Sequence, residues 1–279
     1  MSIKNKIKIG LINYKKIVVW GSGGLARTAI KYWLPKDKID YVIDSNFNKN
    51  NYFPYEVFNT EKIEKSKPEL IIVCSSAYVE IFEKIKKINP NIKFKYIYEL
   101  FLINHDFNSE ISNLMIDIAA TKNSSFFKLI LKKPQILVNI TYRLSKYFKK
   151  KKFTFPLYYF LAPVHYLFCL LTSIQLPLRL EAGPGLIIAH PGTIIFSEKA
   201  KLGSFVTIYH CCTVGTTLSG GSPVIKDFVT IYSGSHVLGS SLIGKHSKVG
   251  AMSLVLDFQC GDFMTIAGIP ASIKKKYNI

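Results

Sequence analysis

His190 breaks a pattern that aliphatic side chains otherwise keep. It stands twelve residues before Leu202, in a phase held further along by Leu202, Ile208 and Val214. Its place in an apolar row therefore asks for a chemical reason. An imidazole titrates near neutral pH and is the natural general base for taking a proton from a hydroxyl or an amine. His210 follows twenty residues later, which the count places in the next coil, two positions further along the strand, in the same groove or in a structural stack. His236 and His246 fall in mid-coil and are expected at the surface, while His105 and His165 lie outside the repeat. No closely spaced histidine pair stands out. The five cysteines (Cys74, Cys169, Cys211, Cys212, Cys260) lack C-x₂-C spacing, so neither a metal site nor a disulfide framework is expected.

A second constellation lies near the N-terminus. Ile17-Val18-Val19-Trp20 reads as a buried strand, then Gly21-Ser22-Gly23-Gly24-Leu25-Ala26 leads into a helical pattern. Glycines in such a turn let backbone N–H groups and a helix N-terminus approach a phosphate. A second strand ends at Asp44, where a carboxylate could take a ribose hydroxyl. With a further strand at residues 70–74, this reads as a small α/β Rossmann-like domain.

The elements that would position His190 count in sixes. Leu202, Ile208 and Val214 are six apart, and Ile225, Ile231, Val237, Ile243, Val249 and Val255 resume the step, each with a small or compact residue two positions earlier. Neither a helix at 3.6 nor a strand at 2 gives this period. A triangular parallel coil, one hexapeptide per face, does. The run FVTIY at residues 205–209 recurs at 228–232, a shift of 23 where a coil takes 18. Five residues are therefore inserted, and residues 216–222 (TTLSGGS) should project as a loop.

Residues 183–271 (GPGLIIAHPGTIIFSE, VTIYHCCTVG, GGSPVI, IAGIPA) resemble the hexapeptide-repeat acetyltransferases of the serine acetyltransferase type. The resemblance implies a left-handed parallel β-helix, acetyl-CoA as donor, and a homotrimer with active sites between neighbouring coils. It also implies that His190, in H-x-x-G-T-I-I, is the catalytic histidine. Glu198 aligns with a family glutamate and is the candidate partner acid, with Glu181 near in sequence. Ser233, Gly234, Ser235, Gly250 and Ala251 would line a groove for the pantetheine arm, and Lys274 would meet CoA phosphates beyond the closing turn Gly268-Ile269-Pro270-Ala271. The chain departs from the pattern at Ala189, Gln175 and Ser222, where the family carries acids and a charged loop pair that serve an amino-acid acceptor. Those departures point to a sugar hydroxyl in capsule, lipooligosaccharide or other surface-glycan synthesis. The Rossmann-like part resembles domains of nucleotide-sugar acetyltransferases, with Gly21, Gly23, Gly24 and Asp44 facing the acceptor nucleotide. N-acetylation of an amino-sugar nucleotide and a non-catalytic nucleotide-sugar scaffold are the alternatives.

Composition agrees with a folded chain: 48% of its 279 residues are hydrophobic and 20% charged. The net charge of +19 favours anionic partners, yet no basic stripe interleaved with aromatics suggests nucleic acid. Charged residues interrupt every apolar run near the N-terminus, so a cytoplasmic protein is expected. Residues 153–174 are apolar and follow Lys149, Lys150, Lys151 and Lys152. A helix packed on the first coil is the expectation, and peripheral contact with an anionic membrane surface or a true transmembrane span are the alternatives. The expected boundaries are 1–104 for the Rossmann-like domain, 105–178 for a helical connector and 179–279 for the β-helix.

Overall fold

The computed structural model describes residues 3–45, 55–121, 126–218 and 220–279. The chain divides into two units, one of Met1–His105 with Tyr277–Ile279 and one of Asp106–Lys276.

In the first unit, β1 (Ile17–Trp20), β2 (Ile39–Ile43), β3 (Val57–Phe58), β4 (Leu70–Val73) and β5 (Lys93–Tyr96) form one parallel sheet in the order β3-β2-β1-β4-β5. Helices α1 (Ile3–Gly10), α2 (Gly24–Tyr32), α3 (Glu61–Ser66) and α4 (Tyr78–Ile88) complete it. β1 and β4 are buried at every residue, which is why they read as unbroken apolar runs rather than alternating ones. The chain leaves β1 toward β2 on one side and β4 pairs on the other, so the glycine turn after β1 sits where the strand order reverses.

The second unit opens with α5 (Glu110–Thr121), α6 (Phe126–Lys132), α7 (Ile136–Lys149) and α8 (Phe155–Thr172). Three sheets of short strands follow. The first face carries Glu181–Ala182, Lys201–Leu202, Val224–Ile225, Leu242–Ile243 and Gln259–Cys260. The second carries Ile187–Ile188, Thr207–Ile208, Thr230–Ile231, Lys248–Val249 and Met264–Ala267, closed by antiparallel Ser272–Lys276. The third carries Ile174–Gln175, Ile194–Phe196, Cys212–Gly215, His236–Leu238 and Leu254–Leu256. Every other pairing is parallel, as a coil requires.

The six-residue count becomes columns inside the prism. Ile208, Ile231, Val249 and Ile266 stack at 0% exposure, as do Val214, Val237 and Val255. Burying each such side chain stabilises the fold by about 1.5–3 kcal/mol. The small residues two positions earlier also point inward, at the corners. Ser241 donates to the Leu238 carbonyl at 2.7 Å and accepts from the Phe258 amide at 3.1 Å; Ser253 does the same with Gly250 and Gly268. A buried hydroxyl thus satisfies one backbone group in its own coil and one in the next, which an aliphatic residue could not do.

The loop over 216–222 projects as the repeat spacing predicts. Lys201 pairs with Val224, 23 residues on, and Gly215 with Leu238, so the extra residues lie between these rungs. Thr217 and Gly220 form an antiparallel bridge, Gly220 and Gly221 adopt φ of 86° and 83°, and Leu218 is fully exposed.

The first coil has no coil beneath it, so its outer backbone groups need other partners. α7 provides them along its length. Gln135, just before it, donates Nε2 to the Ile188 and Ala189 carbonyls, Asn139 donates to Leu186, Tyr142 to Leu180, and Arg143 to Ala182 and Gly183. Asp117 accepts the Gly185 and Leu186 amides at 2.6 and 3.1 Å and pairs with Arg143 at 2.9 Å. Burial pushes the Asp117 carboxyl above its usual range, and Arg143 and the amides pull it back.

Candidate active site

His190 does not point inward. Ile188 takes the aliphatic place, pairing with Ile208, and Ile194 pairs with Cys212. Five residues therefore separate these rungs at the first corner between the second and third faces, where the next coil uses three. The two extra residues lift Ala189, His190, Pro191, Gly192 and Thr193 out of the hexapeptide count, and His190 emerges exposed at the edge of the prism. Gly192 sits at φ 140°, and a Cβ there would come within 3.0 Å of the His210 Cβ, so the corner closes only around glycine. The corner is held from below: the Gly192 amide donates to the Thr172 carbonyl at the end of α8, and Ile194 to Ser173.

The same two residues correct the place of His210. It is not displaced along the strand; since Ile188 and Ile208 are partners, His190 and His210 occupy equivalent positions in successive coils. Their ring centroids are 6.1 Å apart, both are exposed, and Tyr209 lies 6.0 Å from His190. Tyr209 in turn stacks on Tyr232 at 5.3 Å. The repeated FVTIY run held the signal for these tyrosines, which sequence reasoning did not single out.

Following the register upward, the edge continues through Ser233 and Gly234, then Gly250 and Ala251, and ends at Gly268. By register Ser233, Ala251 and Gly268 stand in one row above His210, with Gly234 and Gly250 one place to either side, and Lys274 reaches the end of that row: its Nζ lies 3.8 Å from where a Gly268 Cβ would be. Gly234, at φ 71°, faces Met252, and a Gly250 Cβ would meet the Ala267 Cβ at 2.7 Å, so both glycines also let coils approach. Ser235 is a correction. It is 0% exposed and donates its hydroxyl to the Tyr232 carbonyl, so it belongs to the core, not to a groove.

The candidate acids stand elsewhere. Glu198 follows the three-residue strand that begins after the His190 corner, so it sits at the opposite edge of the third face, 3.7 Å from Arg179. Together with Tyr166, Cys169, Gln175, Leu176, Pro177, Phe196 and Ser197 it lines a separate cleft of about 320 Å³. Glu181 is on the first face beside Lys201 at 3.7 Å. Among the described residues no carboxylate pairs with His190. Ser222 and its loop also leave from the edge between the third and first faces, across the third face from His190.

Other expectations change likewise. His246 is only partly exposed: it stacks between Phe228 and Phe263, each at 4.7 Å, and burial lowers its pKa to about 4 despite Asp262 and Asp227 nearby. His165 is fully buried and bonds Thr141 and the Leu176 carbonyl. In the first unit, Gly21 is required by φ 123° and by the Cys74 carbonyl, 2.7 Å from an added Cβ, whereas nothing lies within 4 Å of such atoms at Gly23 and Gly24. Asp44 Oδ2 accepts the Ser22 amide at 2.7 Å and the Ser22 hydroxyl at 2.5 Å, which ties down the glycine turn. Among the described residues no cluster of His, Cys, Asp or Glu could hold a metal ion.

Comparison with known proteins adds a chemistry to this geometry. No family model matches the chain. Over 153 residues it is 31% identical to the serine acetyltransferase of Bacillus subtilis (strain 168), covering 53% of this chain and 68% of that protein. Over 108 residues it is 34% identical to the serine acetyltransferase of Buchnera aphidicola subsp. Schizaphis graminum, covering 37% of this chain but only 41% of the relative. Among solved structures, soybean serine acetyltransferase complexed with serine superposes with a TM-score of 0.52 and 26% identity over 63% of this chain and 73% of that one. A serine acetyltransferase in complex with cysteine, at TM-score 0.51 and 23% identity over 70% and 75%, shows the shared left-handed parallel β-helix with helices before it. These relatives are named for serine, and none of them lends support to a surface-polysaccharide branch.

Proposed function

Because the chain belongs to the serine acetyltransferase family of hexapeptide-repeat proteins, we propose that it moves an acetyl group from acetyl-CoA to a hydroxyl, with His190 as general base. The observation that carries this reading is the edge on which His190 and His210 stand, continued by Ser233, Gly234, Gly250 and Ala251 toward Lys274. An extended pantetheine arm fits along small side chains, and a lysine at the far end suits the CoA phosphates. In the reaction the acceptor oxygen bonds to the thioester carbonyl carbon and the C–S bond breaks. The hydroxyl proton passes to His190 and then to the departing sulfur. His210, one coil above, can donate to the carbonyl oxygen as charge develops there.

A homotrimer belongs to the same reading. Within one chain the 216–222 loop and His190 lie on different edges, so a neighbouring copy would bring its loop to this histidine. The proposed organisation keeps a Rossmann-like unit over 1–104, a helical connector over 105–178 and the β-helix over 179–279; the parallel order β3-β2-β1-β4-β5 and the glycine turn support the first of these.

For the acceptor, the described residues of the loop carry no charge, and Ala189 precedes His190, which favours a neutral hydroxyl such as a sugar's over an amino acid. The second reading is L-serine, favoured by the relatives' names. Thiol release from acetyl-CoA, measured with L-serine and with a panel of free and nucleotide-linked sugars, separates them. A higher kcat/KM for a sugar supports the first, a higher one for L-serine the second. No release with any acceptor returns the chain to a non-catalytic scaffold.

A further inference from the structure

α8 is 18 residues long, uncharged and mostly apolar, yet only 17% of it is buried. Its inner side carries His165, Cys169 and Thr172, packed toward α7 and the first coil. The opposite side presents Tyr159, Phe160, Tyr166, Leu167, Leu170 and Leu171, exposed by 53% to 77%. At 100° per residue these fall on one stripe, so among the described residues a continuous hydrophobic face is left without a partner.

Length and composition alone would allow this helix to cross a bilayer. Its attachments do not. At its start it follows α7, which is bonded along its length to the first coil. At its end Ile174 pairs in the third face, and the Thr172 carbonyl holds the His190 corner. Both ends are fixed to one side of the same body, so α8 lies along a surface rather than through it.

Charge selects the occupant. Between Asp117 and Glu181 the chain has eleven Lys or Arg residues and no Asp or Glu. Lys149 and Lys151, both exposed, stand just ahead of the aromatic end of α8, where Lys149 lies 5.5 Å from the Tyr158 ring centre. An interface between two copies of this face would bring its lysines together with no carboxylate from the segment to offset them, and Glu198, beside Tyr166, already pairs with Arg179. An anionic lipid surface provides both an apolar layer for the aromatic and leucine stripe and phosphates for the lysines. We propose that α8 is an interfacial membrane-binding helix, which seats the second unit on an anionic bilayer. This does not depend on the acetyl-transfer reading.

Co-sedimentation with vesicles tests it. The full chain should bind vesicles of 30 mol% phosphatidylserine in phosphatidylcholine at least about 10-fold more tightly than phosphatidylcholine alone, and less tightly as salt rises. Leu170→Glu with Leu171→Glu, and separately Lys149→Glu with Lys151→Glu, should each weaken that binding about 10-fold or more, with unchanged assembly size in light scattering. All four side chains are exposed, so neither pair disturbs the core. Absence of binding to the anionic vesicles, or equal binding by both variants, would overturn the proposal. A loss of assembly size in the leucine variant with vesicle binding intact would overturn it too, and would place a second copy on the face.

Discussion

His190 and His210 sit one directly above the other, with ring centroids 6.1 Å apart, although twenty residues separate them in a coil whose ordinary step is eighteen. The two extra residues turn what the count reads as an inward histidine into an outward one. They also place a second imidazole beside the first. In the proposed acetyl transfer the two would serve as base and donor on one edge.

Replacing His190 with Ala should lower acetyl transfer by about 10²- to 10⁴-fold, the usual share of a general base. Because the side chain is exposed and outside the core, thermal stability and acetyl-CoA affinity should stay near those of the parent. Steady-state kinetics, calorimetric titration with CoA and a melting curve check the three parts, and near-normal turnover would remove His190 from the reaction.

Removing residues 218–221 shortens the loop without touching a coil rung, since Gly215 and Val224 keep their partners. The acceptor KM should then rise about 10-fold or more while that for acetyl-CoA changes little, because the loop leaves from an edge away from the small-residue line. Equal rises in both would mean that the loop closes over the donor instead.

The His246 ring gives the fold an acid-sensitive point. Its folded-state pKa lies near 4, below the ordinary 6.5, so the unfolded chain takes the proton first. Stability contributed by the neutral ring is therefore present above pH 6.5 and lost as pH falls toward 4, on the order of 2–3 kcal/mol in all. His246→Phe continues the stack of Phe205, Phe228 and Phe263, three residues that share its left-handed backbone, and should flatten the decline in melting temperature between pH 6.5 and 4. An unchanged decline would assign the acid sensitivity to other groups.

Much of this was legible from residue order because the repeat is local. A coil of hexapeptides writes its columns at fixed spacing, so Ile231, Val249 and the loop over 216–222 could be located by counting, and GPGL, HPGTII and GIPA carried the family. Counting failed where the chain changes its step. The extra residues at 189–193 resemble an uninterrupted hexapeptide row, and only backbone pairing between Ile188 and Ile208 reveals them. Burial is likewise a property of neighbours far along the chain. Ser235 and Ser233 are both small and two apart, but the coil turns one into the core and the other outward. Only folding brings Ser22 to the Asp44 carboxylate, and α8 reads as a packed helix until its outer side is seen to meet none of the described residues. Sequence fixes side-chain chemistry and short-range periodicity; which face of each element finds a partner depends on contacts that only the folded chain brings together.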